Sequence, residues 1–368
     1  PNPGVLLSGG YDSSSVAALL QTNSSDKVKT FSIGFHEPKF NEAHHAKRIA
    51  AHLGTEHYEH YCTSKDALEL LPKLSEILDE PMGDASIIPT TLASRLVAKH
   101  ADSVLSADGP DELLGGYGKY LSLGKKKALF GSVPSLLVPP LKAAMRSSVA
   151  ASLADLVGVT NAADRLERFS YMLGAQENEL LKINSSVFMP NELKKLFNKT
   201  VTGLPTNYDV PMGDDLIENA MALDFKTFAL DGVLVKVNRA ASYAGITNIE
   251  PVLNQELIEH FVRLPLELKI NQGDKKHILK QIVHRYIPKE IMDRPKQGFG
   301  VPLIDWFKDD LKEYLLTYLN EDVLNKVGLF NVAYVIKLRD AYLNGRSNNV
   351  TKLWYLLVFM LWWERWMD

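Results

Sequence analysis

From Gly4 to Ser106 the chain alternates short apolar runs with stretches of helical periodicity, and that alternation admits few folds. Val5-Leu6-Leu7 reads as the end of a buried strand, with further strands at Val28–Phe35, Glu56–Cys62 and Ser103–Ser106. Between them, helices are expected at Ser13–Leu20, with Val16, Ala17, Leu19 and Leu20 turned inward, and at Glu42–Leu53, Lys65–Leu78 and Ile87–His100. Strands that alternate with helices pair in parallel and are covered by those helices, so the fold class is α/β with a doubly wound parallel sheet. Such sheets bind ligands at the carboxyl ends of their strands.

Three strand ends therefore carry the functional argument: those after Leu7, after Thr30-Phe31-Ser32, where Ile33-Gly34-Phe35 follows, and after Leu105. After Leu7 comes "SGGYDSS", which passes directly into a helix. A helix N-terminus has free backbone N–H groups and the positive end of a dipole, and Gly9 and Gly10 let a ligand approach the backbone. The anion expected there is a phosphate, although the loop lacks the spacing and lysine of Walker A. The competing structural reading makes Gly-Gly a tight turn and Ser13 or Ser14 an ordinary N-cap. Asp12, in the middle of the loop, makes sense beside phosphates if it holds Mg2+, which is bound through one or two carboxylates plus phosphate oxygens. A second acid is then needed, and "SADGPDELLGGYGKY", after Leu105, offers Asp108, Asp111 and Glu112, with Gly115-Gly116 keeping the backbone open.

From about Leu121 the strand signal fades, and Asp215–Tyr243, Gln255–Leu264, Lys276–Tyr286 and Thr351–Trp366 have helical periodicity. The expected division is a nucleotide-binding α/β part, 1–121, and a mainly helical part, 122–368. The longest apolar run, Leu353–Trp363, has 11 residues, too short to span a bilayer, and no membrane partner is expected. With 368 residues, 46% hydrophobic, 23% charged and a formal net charge of −3, the chain reads as globular, with no nucleic-acid surface. Its one cysteine, Cys62, excludes an internal disulfide and a multi-cysteine metal site; it reads as a packed thiol and fits a reducing, cytoplasmic location. His44 and His45 are expected to point in different directions on a helix, and His57 and His60 to lie on opposite strand faces, so no zinc site is read from them. No signal peptide is visible, and the start at Pro1 without methionine implies an N-terminal piece processed, trimmed or left unseen.

"SGGYDSS" resembles the pyrophosphate-loop signature of the N-type ATP pyrophosphatases, whose fold is adenine nucleotide alpha hydrolase-like. "FSIGF" (31–35), "DEPMGDASIIPT" (79–90), "SADGPDELLGGY" (106–117), "LVKVNRAASYA" (234–244) and "RPKQGFGVPLIDWF" (294–307) narrow the resemblance to the synthetase domain of the asparagine synthetase family. The resemblance implies an AMP-forming ligase that uses ATP and Mg2+: a carboxylate is adenylated with release of pyrophosphate, and ammonia or an amine then displaces AMP. Carried over by position, it implies a pyrophosphate cradle of Ser8, Gly9, Gly10, Asp12, Ser13 and Ser14, with Asp12 and Asp111 holding Mg2+. It also implies Leu7 and Ile33 flanking adenine and Ser106 and Gly109 on the nucleotide side of the acidic loop. Asp108 would orient the nucleophile or take its proton, and Lys296 would stabilise the departing pyrophosphate. Lys276 is a second phosphate candidate, its alternative being a solvated helix lysine.

The chain also departs from the family. Where relatives read Glu-x-Arg-x-Pro-Phe-Leu-Asp, it has Thr247, Ile249, Pro251, Val252, Leu253 and Asn254, with Glu250 close by as a partial substitute, and the family's Lys-x-Asp-Arg becomes Lys236-Val237-Asn238-Arg239. Either this segment shapes the acceptor site, so that the acid need not be aspartate, or it is a packing element in which neutral residues replace an ion-pair set. Alternatives are thus a relative acting on a uronic acid or a peptide carboxylate, or a nucleotide-binding homologue without amide-forming activity. The expected nitrogen source is ammonia from a glutaminase domain or partner; self-association into a homo-oligomer is left open.

Overall fold

In the computed structural model, which describes residues 3–156, 158–159, 161–200, 206, 208, 213–293 and 300–367, the apolar runs form a parallel sheet of five strands. These are β1 (Gly4–Leu6), β2 (Lys29–Phe35), β3 (Glu56–Cys62), β4 (Ser103–Leu105) and β5 (Thr247–Ile249), in the spatial order β3-β2-β1-β4-β5. Val5 stands opposite Thr30 on one side and Leu105 on the other, and Ser103 opposite Thr247. The order reverses at β1, so the carboxyl ends of β1 and β4 flank the topological switch point where this architecture opens a crevice. β5 lies outside the sequence expectation because "TNI" has no apolar run.

Helix α1 (Tyr11–Thr22) starts two residues earlier than expected and turns Ser13, Ser14, Ser15, Val16, Ala17 and Ala18 inward. Leu19, expected inside, is exposed, and Ala18 is buried instead. The serine-rich first turn sets the inward face, which the i, i+3, i+4 spacing continues through Ala17 and Ala18. Val5, Leu7, Val16, Ala17 and Ala18 share one core with Ile49 and Ala50 of α2 (Ala43–Leu53). Cys62 is a buried free thiol. The His44 and His45 rings do not diverge: their centroids lie 4.0 Å apart.

The chain packs as two compact units, 1–117 with 224–303 and 118–223 with 304–368. The expected division at 121–122 places 224–303 with the helical part; the packing instead returns it to the sheet. Physically, that segment supplies β5 and a helix, Val235–Ala244, that packs on α3 (Ile87–Ala98), sharing the apolar group of Val97, Val104, Ala241 and Ile246. The second unit is helical. Its C-terminal helix, Val350–Trp366, buries Leu353, Trp354, Leu356 and Leu357, and its buried Lys352 pairs with Asp164 and Glu192. Among the described residues no single helix is long and apolar enough to cross a membrane.

Candidate active site

The loop after β1 is held open by its own hydroxyls. Ser13 Oγ accepts the Ser8 N–H at 3.1 Å and lies 3.0 Å from Ser8 Oγ, which accepts the Gly10 N–H at 3.3 Å. Gly10 is the N-cap of α1 and no side chain caps it, so neither Ser13 nor Ser14 takes the ordinary capping role. The first-turn N–H groups therefore keep their capacity for an anion. Gly9 sits at φ 79°, where a Cβ would lie 2.9 Å from the Ala46 backbone nitrogen. The Ser14 hydroxyl is fully buried without a hydrogen-bond partner among the described residues. A buried orphan hydroxyl at an uncapped helix start fits a phosphate. Leu7 and Ile33 are buried on the neighbouring strand ends of β1 and β2, with the Ser32 hydroxyl donating to the Leu7 carbonyl.

Asp12 and Asp111, distant in sequence, converge on one cation. Asp111 lies on the short helix α4 (Pro110–Leu113), and the Lys276 ammonium pairs with its Oδ1 at 2.6 Å and also with Asp12 Oδ2. A two-residue turn delivers the lysine. β6 (Ile270–Asn271) and β7 (Asp274–Lys275) pair through Gln272 and Gly273, both at positive φ, and Lys276 follows at φ 54° as the N-cap of the helix His277–Val283. Burial works against the Lys276 charge, but the Asp12 and Asp111 carboxylates outweigh it and hold its pKa above the ordinary lysine value. The lysine is not a solvated helix residue. Gly116 makes room for the trio: a Cβ there would stand 1.9 Å from Asp111 Oδ1 and 2.1 Å from Lys276 Cε. Since the two carboxylates already surround one cation, the donor set also fits a divalent ion shared with phosphate oxygens.

A second polar group lies at the ends of β4 and β5. Asp108 Oδ2 is 3.2 Å from Ser106 Oγ, and Glu250 Oε2 accepts the Asp108 N–H at 3.2 Å. The Ser106 hydroxyl also donates to Glu250 Oε1, which accepts from Asn248 Nδ2 at 2.6 Å. Burial, then the neighbouring Glu250 charge, pushes the Asp108 carboxyl up to about 7. Burial likewise pushes Glu112 up to about 7, against the hydrogen bond it accepts from Tyr117 at 2.7 Å. Gly109, at φ 103°, brings the acidic loop against the Leu253 side chain, 2.4 Å from where a Cβ would sit. The segment 79–90 meets the helix 235–244: Lys236 donates to Asp84 at 2.7 Å and Ser86 at 2.8 Å, and Arg239 pairs with Asp79.

The altered 247–254 segment divides by position. Thr247 and Ile249 are exposed on β5, Val252 and Leu253 pack on the core, and Asn254 Oδ1 accepts the Glu256 N–H at 2.9 Å as an N-cap. Asparagine caps a helix about as well as aspartate, so that replacement is tolerated. The Asp108–Glu250 contact and the Lys236–Asp84 pair are the site features sequence reasoning missed; for the second, "KVN" and "DAS" carried the signal without showing that they meet, and for the first Glu250 stood close to the changed motif with no sign that it reaches Asp108. Lys296 lies outside the described residues. Among those described, no group of histidines, cysteines and acids forms a metal cluster of three or more.

Because the wild-type Asp108 carboxyl titrates near 7 in the fold and near 3.9 unfolded, its contribution to stability is full below about pH 4 and is lost as pH rises through about 7. Asp108→Asn has no such loss. The variant is expected to gain on wild type by roughly 1–4 kcal/mol between pH 4 and 8, read by denaturant unfolding. A pH-independent difference would contradict the shifted carboxyl.

The asparagine synthase family model matches residues 2–368. The chain is 27% identical over 364 residues to "Asparagine synthetase [glutamine-hydrolyzing] 1" of Bacillus subtilis (strain 168), covering 98% of this chain and 55% of that protein. It is 27% identical over 329 residues to the Homo sapiens "Asparagine synthetase [glutamine-hydrolyzing]", covering 85% of this chain and 42% of that one. The chain thus spans about half the length of the curated relatives it matches. With a family match across nearly its whole length and the five-stranded parallel sheet of an ATP pyrophosphatase-like fold, this chain belongs to the asparagine synthase family, as its synthetase domain.

Proposed function

We propose that the chain is the synthetase part of an AMP-forming, ATP-dependent carbon–nitrogen ligase. A carboxylate oxygen attacks the α-phosphate of ATP, giving an acyl-adenylate and pyrophosphate; ammonia or an amine then attacks the acyl carbon, AMP leaves, and the amide forms with release of a proton. The observation that carries this reading is the convergence of Asp12, Asp111 and Lys276 beside the uncapped start of α1, at the sheet's switch point. Joining two anions requires their charge to be neutralised and their atoms held close. Ser8, Gly9, Gly10, Ser13 and Ser14 cradle the phosphates, Leu7 and Ile33 flank adenine, and Ser106 and Gly109 line the nucleotide's other side. Asp12 and Asp111 would hold Mg2+, which supplies charge neutralisation of the phosphate oxygens when bound. Asp108 takes the proton of the attacking nitrogen. The test of this reading is carboxylate-dependent pyrophosphate release from ATP.

Aspartate is the first acid to try, since the relatives are named asparagine synthetases. A second acid, a uronic acid or a peptide carboxylate, is favoured by one observation: Thr247 and Ile249 stand exposed and neutral where the family carries glutamate and arginine. The "glutamine-hydrolyzing" names of the relatives support ammonia delivered by a glutaminase domain or partner, and the single cysteine, Cys62, supports a reducing, cytoplasmic location.

Lys296 is assigned to the departing pyrophosphate. Lys296→Ala is expected to slow pyrophosphate release by about 10²-fold or more, the scale of losing one preorganised charge-stabilising group. A wild-type rate would remove the lysine from the site.

A further inference from the structure

Glu250 has no role in the reaction as drawn, yet its carboxylate is the group that holds Asp108. It reaches back from the end of β5 to accept the Asp108 N–H at 3.2 Å, while the Ser106 hydroxyl stands between the two acids, donating to Glu250 and 3.2 Å from Asp108 Oδ2. A serine hydroxyl has one proton and two lone pairs. Facing two carboxylates, it donates to one; its other contact is a hydrogen bond only where the second carboxyl carries a proton and donates to Ser106 Oγ. Complete hydrogen bonding thus requires one proton more than two ionised acids provide. The neighbouring Glu250 carboxylate also disfavours ionisation of Asp108.

The surrounding charges leave that requirement in place. Lys236, on the helix 235–244, is the nearby cation among the described residues, and its ammonium is engaged by Asp84 and Ser86. Glu112, on α4, adds negative charge. On the β5 side Asn248 donates its amide to Glu250 and contributes no charge.

We propose that Asp108 and Glu250 hold a single proton between them through the Ser106 hydroxyl, which makes Glu250 the positioning residue for Asp108 in amide formation. This rests on the ligase reading for the role of Asp108, but the proton sharing does not. The consequence is chemical. An isolated aspartate is a weak base at neutral pH, whereas an aspartate beside a second carboxylate accepts the proton of an attacking amine more readily. In a segment that lacks the family's charged set, Glu250 restores one carboxylate where the nucleophile's proton must go.

The test uses the full chain as wild type, Glu250→Gln and Ser106→Ala, with two readouts. The first, without substrate, is infrared titration of the carboxylic-acid C=O stretch with isotopically labelled aspartate. Wild type is expected to keep one aspartic-acid band to near-neutral pH, and Glu250→Gln to titrate it lower by about one pH unit or more. The second is the pH profile of hydroxamate formation from aspartate with hydroxylamine as the nucleophile. Its acid limb is expected to move down with the infrared titration in Glu250→Gln, while the acid limb of pyrophosphate release stays in place. Should Glu250→Gln fail to fold, Ser106→Ala decides: loss of the hydroxyl that accepts from protonated Asp108 is expected to move the aspartic-acid titration downward. An unchanged titration in the variant that folds overturns the proposal, whatever its activity. Wild type that gives no hydroxamate and releases no pyrophosphate with any acid would fail the ligase reading, and the infrared titration would still decide the proton sharing.

Discussion

Asp111→Asn is expected to abolish Mg2+-dependent pyrophosphate release and to leave the fold intact. The trio Asp12, Asp111 and Lys276 carries two negative charges against one positive charge. Replacing Asp111 with its neutral isostere keeps the Lys276–Asp12 pair, so the buried ammonium retains a counter-ion and the unfolding free energy stays near wild type. Catalysis is a different matter. Mg2+ is bound through few protein carboxylates, so losing one of two removes much of the protein's hold on it. Pyrophosphate release is expected to fall by at least about 10²-fold, the scale of losing one preorganised stabilising group. Near-normal release by a folded Asp111→Asn protein would contradict the metal assignment.

Lys276→Met is expected to act in the opposite sense, on stability first. Lys276 is 5% exposed and stands between two carboxylates, so its removal takes from both the ammonium that they share. Breaking a buried ion pair from one side costs about 3–5 kcal/mol, a large part of the stability of an ordinary domain. A divalent cation offers the carboxylates a replacement. Mg2+ is therefore expected to raise the Tm of Lys276→Met by several degrees more than it raises that of wild type, through preferential binding to the folded form. Equal stability of variant and wild type in metal-free buffer would show that the two acids do not depend on the lysine.

The contrast between these variants marks where the sequence was legible. Strands β1 to β4 stand within one or two residues of their expected places, because apolar runs ended by Gly, Ser and Asp are local signals. β5 was not legible: "TNI" has no periodicity, and only pairing with β4 makes it a strand. The same non-local cause hid the best-defined contacts of the site. Lys276 is a phosphate candidate from its motif, but nothing nearby in sequence says that its ammonium meets Asp12 and Asp111, which a tight hairpin and the space at Gly116 bring about. Glu250 stood out as a stray acid in a changed motif, and its bond to the Asp108 N–H depends on the β4–β5 register. Leu19 misled because an amphipathic count weighs leucine over serine, whereas this helix buries its serine turn at the loop.

The central claim is that this chain activates a carboxylate through an adenylate. Its most direct test is pyrophosphate release from ATP and Mg2+ across a panel of acids, aspartate first, each labelled with heavy oxygen in the carboxylate and run with and without ammonia. The account predicts pyrophosphate release with at least one acid and transfer of one labelled oxygen to AMP when ammonia is present. Release of pyrophosphate with no label in AMP, or ADP and phosphate in place of AMP and pyrophosphate, would contradict it.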